Sequence, residues 1–333
     1  MRPSTSEIYA RQPAVQPSGG KPLKPMPRGV VPISFVSRTA VALARIQLPW
    51  VTSFGCVDSW ELIEATKGTY DWSFIDAEVN RAQVEGKTLV VRLKTNFDGG
   101  STGNPDWLWT DASPPGPCLK RSIADGVNTY DAYEPWLTTW QAPFATFLRA
   151  FAERYEGNQT VAVVYVGGYN MKATEITAAN GGLTWDSGYD RGAWAARIIE
   201  TLDLYARLFP TTRIQFAGGH TIIPSGTWYD IFDASLNILR TRRYRNLILG
   251  LNNMDDNLHA VHVITHNMVQ TSPVPRFFEI DSLTAATEAK ALIAANDSIA
   301  KGASYILVAN EDWTADANWA SSGVLDWPRY GYP

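Results

Sequence analysis

The chain has 333 residues, 45% of them hydrophobic, and a formal net charge of -4. That is enough apolar material for one large barrel or two ordinary domains. The acidic balance offers no field for a phosphate backbone, so nucleic acid is not an expected partner. No apolar run approaches the ~18 residues that span a bilayer, so no membrane partner is expected either.

The start, Met1-Arg-Pro-Ser-Thr-Ser, lacks the apolar stretch of a signal peptide. It suits an intracellular chain or one whose leader has been removed. Residues 1–28 are rich in Pro, Gly and Ser and read as an extended arm with little structure of its own. Beyond them, residues 29–333 alternate short apolar runs with amphipathic helical segments, the pattern of βα units around a parallel sheet. The runs are Val30–Phe35, Val41–Leu48, Thr88–Leu93, Val161–Val166, Arg213–Ala217, Leu247–Leu251, Arg276–Ile280 and Tyr305–Ala309. Eight strands close a (β/α)8 barrel, also called a TIM barrel. The fold class is therefore α/β, a single barrel with an irregular N-terminal arm.

Between the runs, Ser73-Phe-Ile-Asp76 has the form of a capping box, and Gly86 suits the left-handed position that ends a helix. Phe144, Phe147, Leu148, Phe151, Ala152 and Tyr155 recur at helical spacing and form one apolar face. Ala193–Phe209 and Ala285–Lys301 read as further helices, the latter ended by Gly302. Little chain follows the eighth run, so the last helix is short or missing. Residues 94–133 and 167–190 form long excursions after the third and fourth runs. Loops of that length are often functional, and in a barrel the loops after the strands build the active-site face. Several of the 13 tryptophans, among them Trp107, Trp109, Trp185 and Trp313, fall in or beside such loops. Exposed aromatic surface marks binding. Cys56 and Cys118 are too few for a disulfide framework and leave either one bridge or two free thiols.

Two glutamates occupy matching places: Glu175 beyond the fourth run, and Glu279 at the end of the seventh. On parallel barrel strands both open onto one rim. Glycosidic cleavage needs such a pair, one carboxyl to protonate the leaving oxygen and one to attack the anomeric carbon or activate water. Glu279 also lies within an apolar strand end, where a charge is expensive without a purpose or a partner. The bland alternative is that Glu279 pairs with Arg276 or another base while Glu175 is a solvated loop residue.

The stretch Trp60-Glu-Leu-Ile-Glu-Ala-Thr-Lys-Gly-Thr-Tyr-Asp-Trp-Ser-Phe-Ile-Asp76, followed by Gly86-Lys-Thr-Leu-Val-Val-Arg-Leu93, resembles retaining (β/α)8 glycoside hydrolases of the large clan with catalytic glutamates on strands four and seven. Glu64-Ala65 stands where many members have Glu-Pro. Asn104-Pro-Asp-Trp-Leu108 and Phe147-Leu-Arg-Ala-Phe-Ala-Glu-Arg-Tyr155 are similar to a loop and a helix of the same enzymes. The resemblance implies a retaining glycosidase acting on an oligo- or polysaccharide. It implies Glu175 as acid/base, although Thr174 precedes it where many members have Asn. It implies Glu279 as nucleophile and Trp313 as an aromatic platform. Asn310-Glu311 is a literal Asn-Glu pair but follows the eighth run.

Trp107, Trp109 and Trp185 would add stacking faces, and His220, Asn252 and Asn170 would bind hydroxyls. Arg92 reads equally as a substrate contact or a buried structural ion pair, and Lys94 lies on the same strand. His259, His262 and His266 fit an ordinary helical face, so no metal is expected, and no cofactor motif is present. Two other classes remain open: a non-catalytic glycan-binding barrel, and a structural protein that assembles through its arm.

Overall fold

Every predicted run except the second forms a strand at its expected place in a computed structural model. The structure describes residues 21–95, 103–111, 120–124, 129–133, 140–167, 191–218, 244–251, 269, 274–280, 295–296, 298–300 and 302–309. The barrel strands are β1 (Gly29–Ile33), β2 (Ser53–Ser59), β3 (Thr88–Lys94), β6 (Val161–Tyr165), β7 (Arg213–Gly218), β8 (Leu247–Leu251), β9 (Arg276–Ile280) and β10 (Tyr305–Ala309). They close in the order β1-β10-β9-β8-β7-β6-β3-β2, each pair parallel. This is a (β/α)8 barrel. Two further strands, β4 (Lys120–Ala124) and β5 (Thr129–Tyr133), make an antiparallel hairpin in the excursion after β3. The sequence reading did not foresee that hairpin.

The second run is a correction. Val41–Leu48 holds a short helix, α1 (Leu43–Ile46), and the strand lies later, at Ser53–Ser59. Alternate residues of β2 face opposite ways. Phe54 and Cys56 join the outer core, while Val57 joins the barrel interior. A side chain at Gly55 would meet Ile33 at 2.6 Å, so glycine leaves that space to the neighbouring strand. Cys56 therefore lies within a strand. It is a buried free thiol, held well above its ordinary pKa first by desolvation and then by Glu78 and Asp58.

Outside the barrel lie α2 (Trp60–Ile63), α3 (Ser73–Val84), α4 (Trp107–Thr110), α5 (Gln141–Tyr155) and α6 (Arg191–Leu208). The predicted face of α5 is the buried one: Phe144, Phe147, Leu148, Phe151, Ala152 and Tyr155 all pack inward. Burying Phe144, Phe147, Leu148 and Phe151 contributes roughly 1.5–3 kcal/mol each. The capping box is not observed. Ser73 is already helical, its N–H is taken by the Asp71 carboxylate at 3.0 Å, and Asp76 instead accepts from Tyr155 Oη at 2.8 Å and from Arg154. Asp76 thus ties α3 to α5. Gly86 has a φ of +62°, the left-handed conformation expected after the helix.

Residues 21–28 have no regular secondary structure but pack across the end of the barrel where the strands begin. Lys24 is buried, and its ammonium donates to the carbonyls of Asn158 at 2.7 Å, Val161 at 3.1 Å and Tyr155 at 3.4 Å. Its own backbone is held by Thr211 O and by the Arg213 guanidinium. No helix among the described residues is long and apolar enough to cross a membrane.

Candidate active site

Alternation along β9 turns Phe277 and Glu279 into the lumen and Phe278 and Ile280 toward the helices. Glu279 lies one residue before the C-terminal end of the strand and is buried. The same alternation on β3 sends Val90 and Arg92 inward and Val91 and Leu93 outward. In the strand order β3 and β9 are four apart in a ring of eight, so they face each other across the lumen.

Arg92 crosses that space. Its Nη1 lies 3.2 Å from each oxygen of Glu279, and both side chains are almost fully withdrawn from water. Of the two readings of Arg92, the ion pair is the one observed. Among the described residues, Glu279 thus pairs with a base on the opposite wall rather than with Arg276. An opposite charge at this distance favours the carboxylate form over the acid. Such a pair is weak evidence for stability, because taking two charges out of water costs as much as their attraction returns.

Beneath the pair the lumen is also polar. Tyr305 donates its hydroxyl to Gln215 Oε1. Burial first, and Glu279 as well, push that hydroxyl well above its ordinary pKa, against the opposing pull of Arg213. Tyr305 therefore stays protonated and keeps donating. Beside the pair, Lys94 donates to the carbonyl of Phe35, beyond the end of β1. The chain leaving β6 toward Glu175 begins at Gly167, where a side chain would lie 2.9 Å from Leu93 O; the two strand ends are in contact there.

The described residues bring Arg92 and Glu279 together. Trp107 and Trp109 lie on α4, half-buried against the outer core. Trp107 packs edge-on to Trp60 at 5.9 Å and donates its indole N–H to Glu64 O at 2.8 Å. Glu64 itself, from the Trp60–Asp76 motif, accepts from Trp60 Nε1 at 2.6 Å and Gly68 N at 2.8 Å. That motif is an architectural knot on the flank of the barrel. Glu175, Asn170, Trp185, His220, Asn252, Trp313, the three histidines at 259, 262 and 266, and Asn310-Glu311 lie outside the described residues. Among the described residues, no three His, Cys, Asp or Glu side chains gather where they could hold a metal ion. Sequence reasoning missed Phe35 and Tyr165, whose rings flank Arg92 at 5.1 and 4.9 Å. The available signal was an aromatic residue at the end of two inward-facing runs.

No protein family and no curated protein matches the chain by sequence. Solved structures do match. The catalytic domain of beta-amylase from Paenibacillus polymyxa superposes with a TM-score of 0.63 at 11% identity, covering 90% of this chain and 98% of that one. XacCel5A gives 0.52 at 10% identity, over 85% and 88%. Endo-glycoceramidase II from Rhodococcus sp., as its lactosyl-enzyme intermediate, gives 0.51 at 12% identity, over 87% and 75%. The chain shares the barrel fold of these proteins. The likeness to (β/α)8 glycoside hydrolases read from its motifs is thus found in its fold too.

Proposed function

We propose that the chain is a glycoside hydrolase acting on an oligo- or polysaccharide with retention of configuration. Glu279 attacks the anomeric carbon and forms a glycosyl-enzyme. Glu175 first protonates the leaving oxygen and then activates the water that releases the sugar. The observation that carries this reading is the buried Glu279 carboxylate. It lies on the lumen face near the C-terminal end of the seventh barrel strand, with the Arg92 guanidinium against both oxygens. A nucleophilic carboxylate must be ionised, and Arg92 favours that state. The strand's C-terminal end is where barrel enzymes hold their chemistry. Supporting it at the level of fold, one similar barrel is known as a lactosyl-enzyme intermediate, and retention passes through such an adduct.

Under this reading the Glu175 and Glu279 carboxyls stand ~5–5.5 Å apart, against ~6.5–9.5 Å for inversion. For that role Glu175 must stay protonated near neutral pH until it donates. Trp313 and Trp185 offer ring faces to the sugar, and His220, Asn252 and Asn170 bind its hydroxyls; Trp107 and Trp109, packed against the outer core, serve the flank instead.

The test is hydrolysis of a panel of aryl glycosides and polysaccharides by the wild type, Glu279→Gln and Glu175→Gln. Both variants are expected to lose most activity. Azide is expected to restore turnover to Glu279→Gly with an inverted glycosyl azide product. Cleavage that survives Glu279→Gln would remove the nucleophile assignment. A panel with no cleavage, but with glycan binding that survives both substitutions, would replace the enzyme with a binding module.

A further inference from the structure

The guanidinium of Arg92 is flanked by two aromatic rings, 4.9 Å from the Tyr165 centroid and 5.1 Å from that of Phe35. Tyr165 is fixed by the barrel itself. It stands on β6, next to β3, edge-on to Phe277 at 5.8 Å, and Phe277 stacks on Tyr305 at 5.8 Å. Phe35 packs against the same inner cluster but from outside the barrel strands. It lies beyond β1, outside any regular element, and is half-buried.

Two other devices hold it. On one side its carbonyl accepts from Lys94, the next inward residue of β3 after Arg92. On the other, Arg38 takes a left-handed φ of +57°, uncommon for a residue with a side chain. Four bonds of 3.1 Å or shorter fix it there. Its N–H donates to Val57 O at 2.9 Å, Nε to Asp58 Oδ1 at 3.1 Å, Nη1 to Asp71 Oδ2 at 2.9 Å and Nη2 to Leu62 O at 2.9 Å. Backbone strain persists only where its surroundings over-determine it. Here they tie the loop after β1 to β2 and to the segment after α2, with Phe35 turned over the inner face of the barrel.

We propose that Phe35 is a positioning residue: its ring, held in place through the carbonyl bond to Lys94, keeps the Arg92 guanidinium against Glu279, and so keeps Glu279 ionised. The functional meaning rests on Glu279 being the nucleophile; the physical link between Phe35, Arg92 and Glu279 does not. A ring face holds a guanidinium most strongly when water is excluded, as it is around Arg92. Other charged or titratable groups bear on Glu279 from the packed elements. Among the described residues these are Lys94, on the same face of β3 as Arg92, Tyr305 of β10 and, through Tyr305, Arg213 of β7. Glu175, outside the described residues, joins them under the proposed mechanism. None of these groups is removed by a change at Phe35.

The experiment follows Glu279 itself. The full chain is labelled with carboxyl carbon-13 glutamate, the Glu279 signal is assigned by its loss in Glu279→Gln, and its titration midpoint is read. Phe35→Leu keeps the apolar bulk and removes the ring face; the midpoint is expected to rise by about half a pH unit or more. Phe35→Tyr restores the ring and is expected to restore the midpoint. In an Arg92→Gln background the Leu substitution is expected to have no further effect, because the coupling runs through Arg92. The wild type offers a check without any substitution, in that the Arg92 guanidinium protons should carry an upfield ring-current shift. An unmoved midpoint in Phe35→Leu, an equal rise in the Arg92→Gln background, or unshifted Arg92 protons would each overturn the proposal. All three readouts hold whether or not a glycoside is cleaved, so a silent substrate panel sinks the proposed function without touching this test.

Discussion

The cluster around Trp60 and the lumen around Arg92 are both buried, but they are built on opposite rules. Trp60 packs against Trp107, Trp140, Phe144 and Phe147, with centroids 5.2–5.9 Å away. Each indole N–H of that cluster finds an acceptor: Trp60 on Glu64, Trp107 on the Glu64 carbonyl, Trp140 on Asn104. It is aromatic area with its polar tips satisfied, which is what a stabilising core requires. The lumen instead buries a full positive and a full negative charge in its upper half. Folding alone gains little from that arrangement. The flank holds the barrel together, and the lumen carries a charge pair that adds little to stability.

Trp60→Ala tests the flank, and it carries the largest effect. Deleting a buried tryptophan costs about 3–5 kcal/mol through lost transfer energy and the cavity left behind. Urea unfolding would read this as a lower midpoint. A loss below ~1 kcal/mol would mean that the cluster repacks freely and is no keystone.

The matching change in the lumen has the opposite sign. Replacing Arg92 and Glu279 together by methionines removes both desolvated charges and keeps the volume. Such replacements are neutral or stabilising by about 1–4 kcal/mol, whereas Arg92→Met alone strands a buried carboxylate and costs about 3–5 kcal/mol. The double variant is expected to be at least as stable as the wild type and inactive on every glycoside. A double variant clearly less stable than the wild type would show that the pair is structural after all.

A smaller effect lies where the two regions' rules meet, at Glu64. Both of its oxygens accept, one from the Trp60 indole and one from the Gly68 amide. Glutamine can offer only one acceptor there and turns an N–H toward the other donor. Glu64→Gln is expected to lower stability by about 0.5–1.5 kcal/mol, the net worth of one hydrogen bond, because its oxygen can keep the buried Trp60 N–H while the exposed Gly68 amide turns to water. Its effect on catalysis should not exceed the loss of folded protein. A kcat that falls in fully folded Glu64→Gln would extend the site onto the flank.

The same contrast explains what the sequence could and could not tell. Most barrel strands are legible because both faces are buried, which writes them as near-continuous apolar runs. Strand β2 is not, since Ser53, Gly55 and Ser59 leave room in the lumen and Asp58 interrupts its outer face. Val41 and Ile46 are apolar enough to draw the strand forward, but they serve the outer core from a loop and a short helix. Glu279 was legible as a charge in the wrong place for mere packing. Its partner was not, because Arg92 stands 187 residues away and meets it only when the barrel closes. Phe35 was read as the tail of a strand, since nothing local says that its ring will lie against a cation.

The smallest effect belongs to the opposite end of the barrel, where Lys24 is a buried charge with no catalytic neighbour. Burial lowers its pKa from 10.5 to about 8, against the opposing pull of Glu156. The unfolded chain therefore holds the proton between about pH 8 and 10.5 while the folded chain has released it. Where the unfolded state binds more protons, stability rises with pH. Lys24 should thus add a rising contribution across that window, with the full penalty of burying its charge present below it. Subtracting the same curve for Lys24→Met isolates the group, because the other titrations cancel. The difference in unfolding free energy, wild type minus variant, is expected to climb from pH 8 to pH 10.5. A flat difference would mean that the three carbonyls around the ammonium compensate its desolvation fully. Lys24 would then belong with the satisfied polar tips of the Trp60 cluster rather than with the costly charges of the lumen.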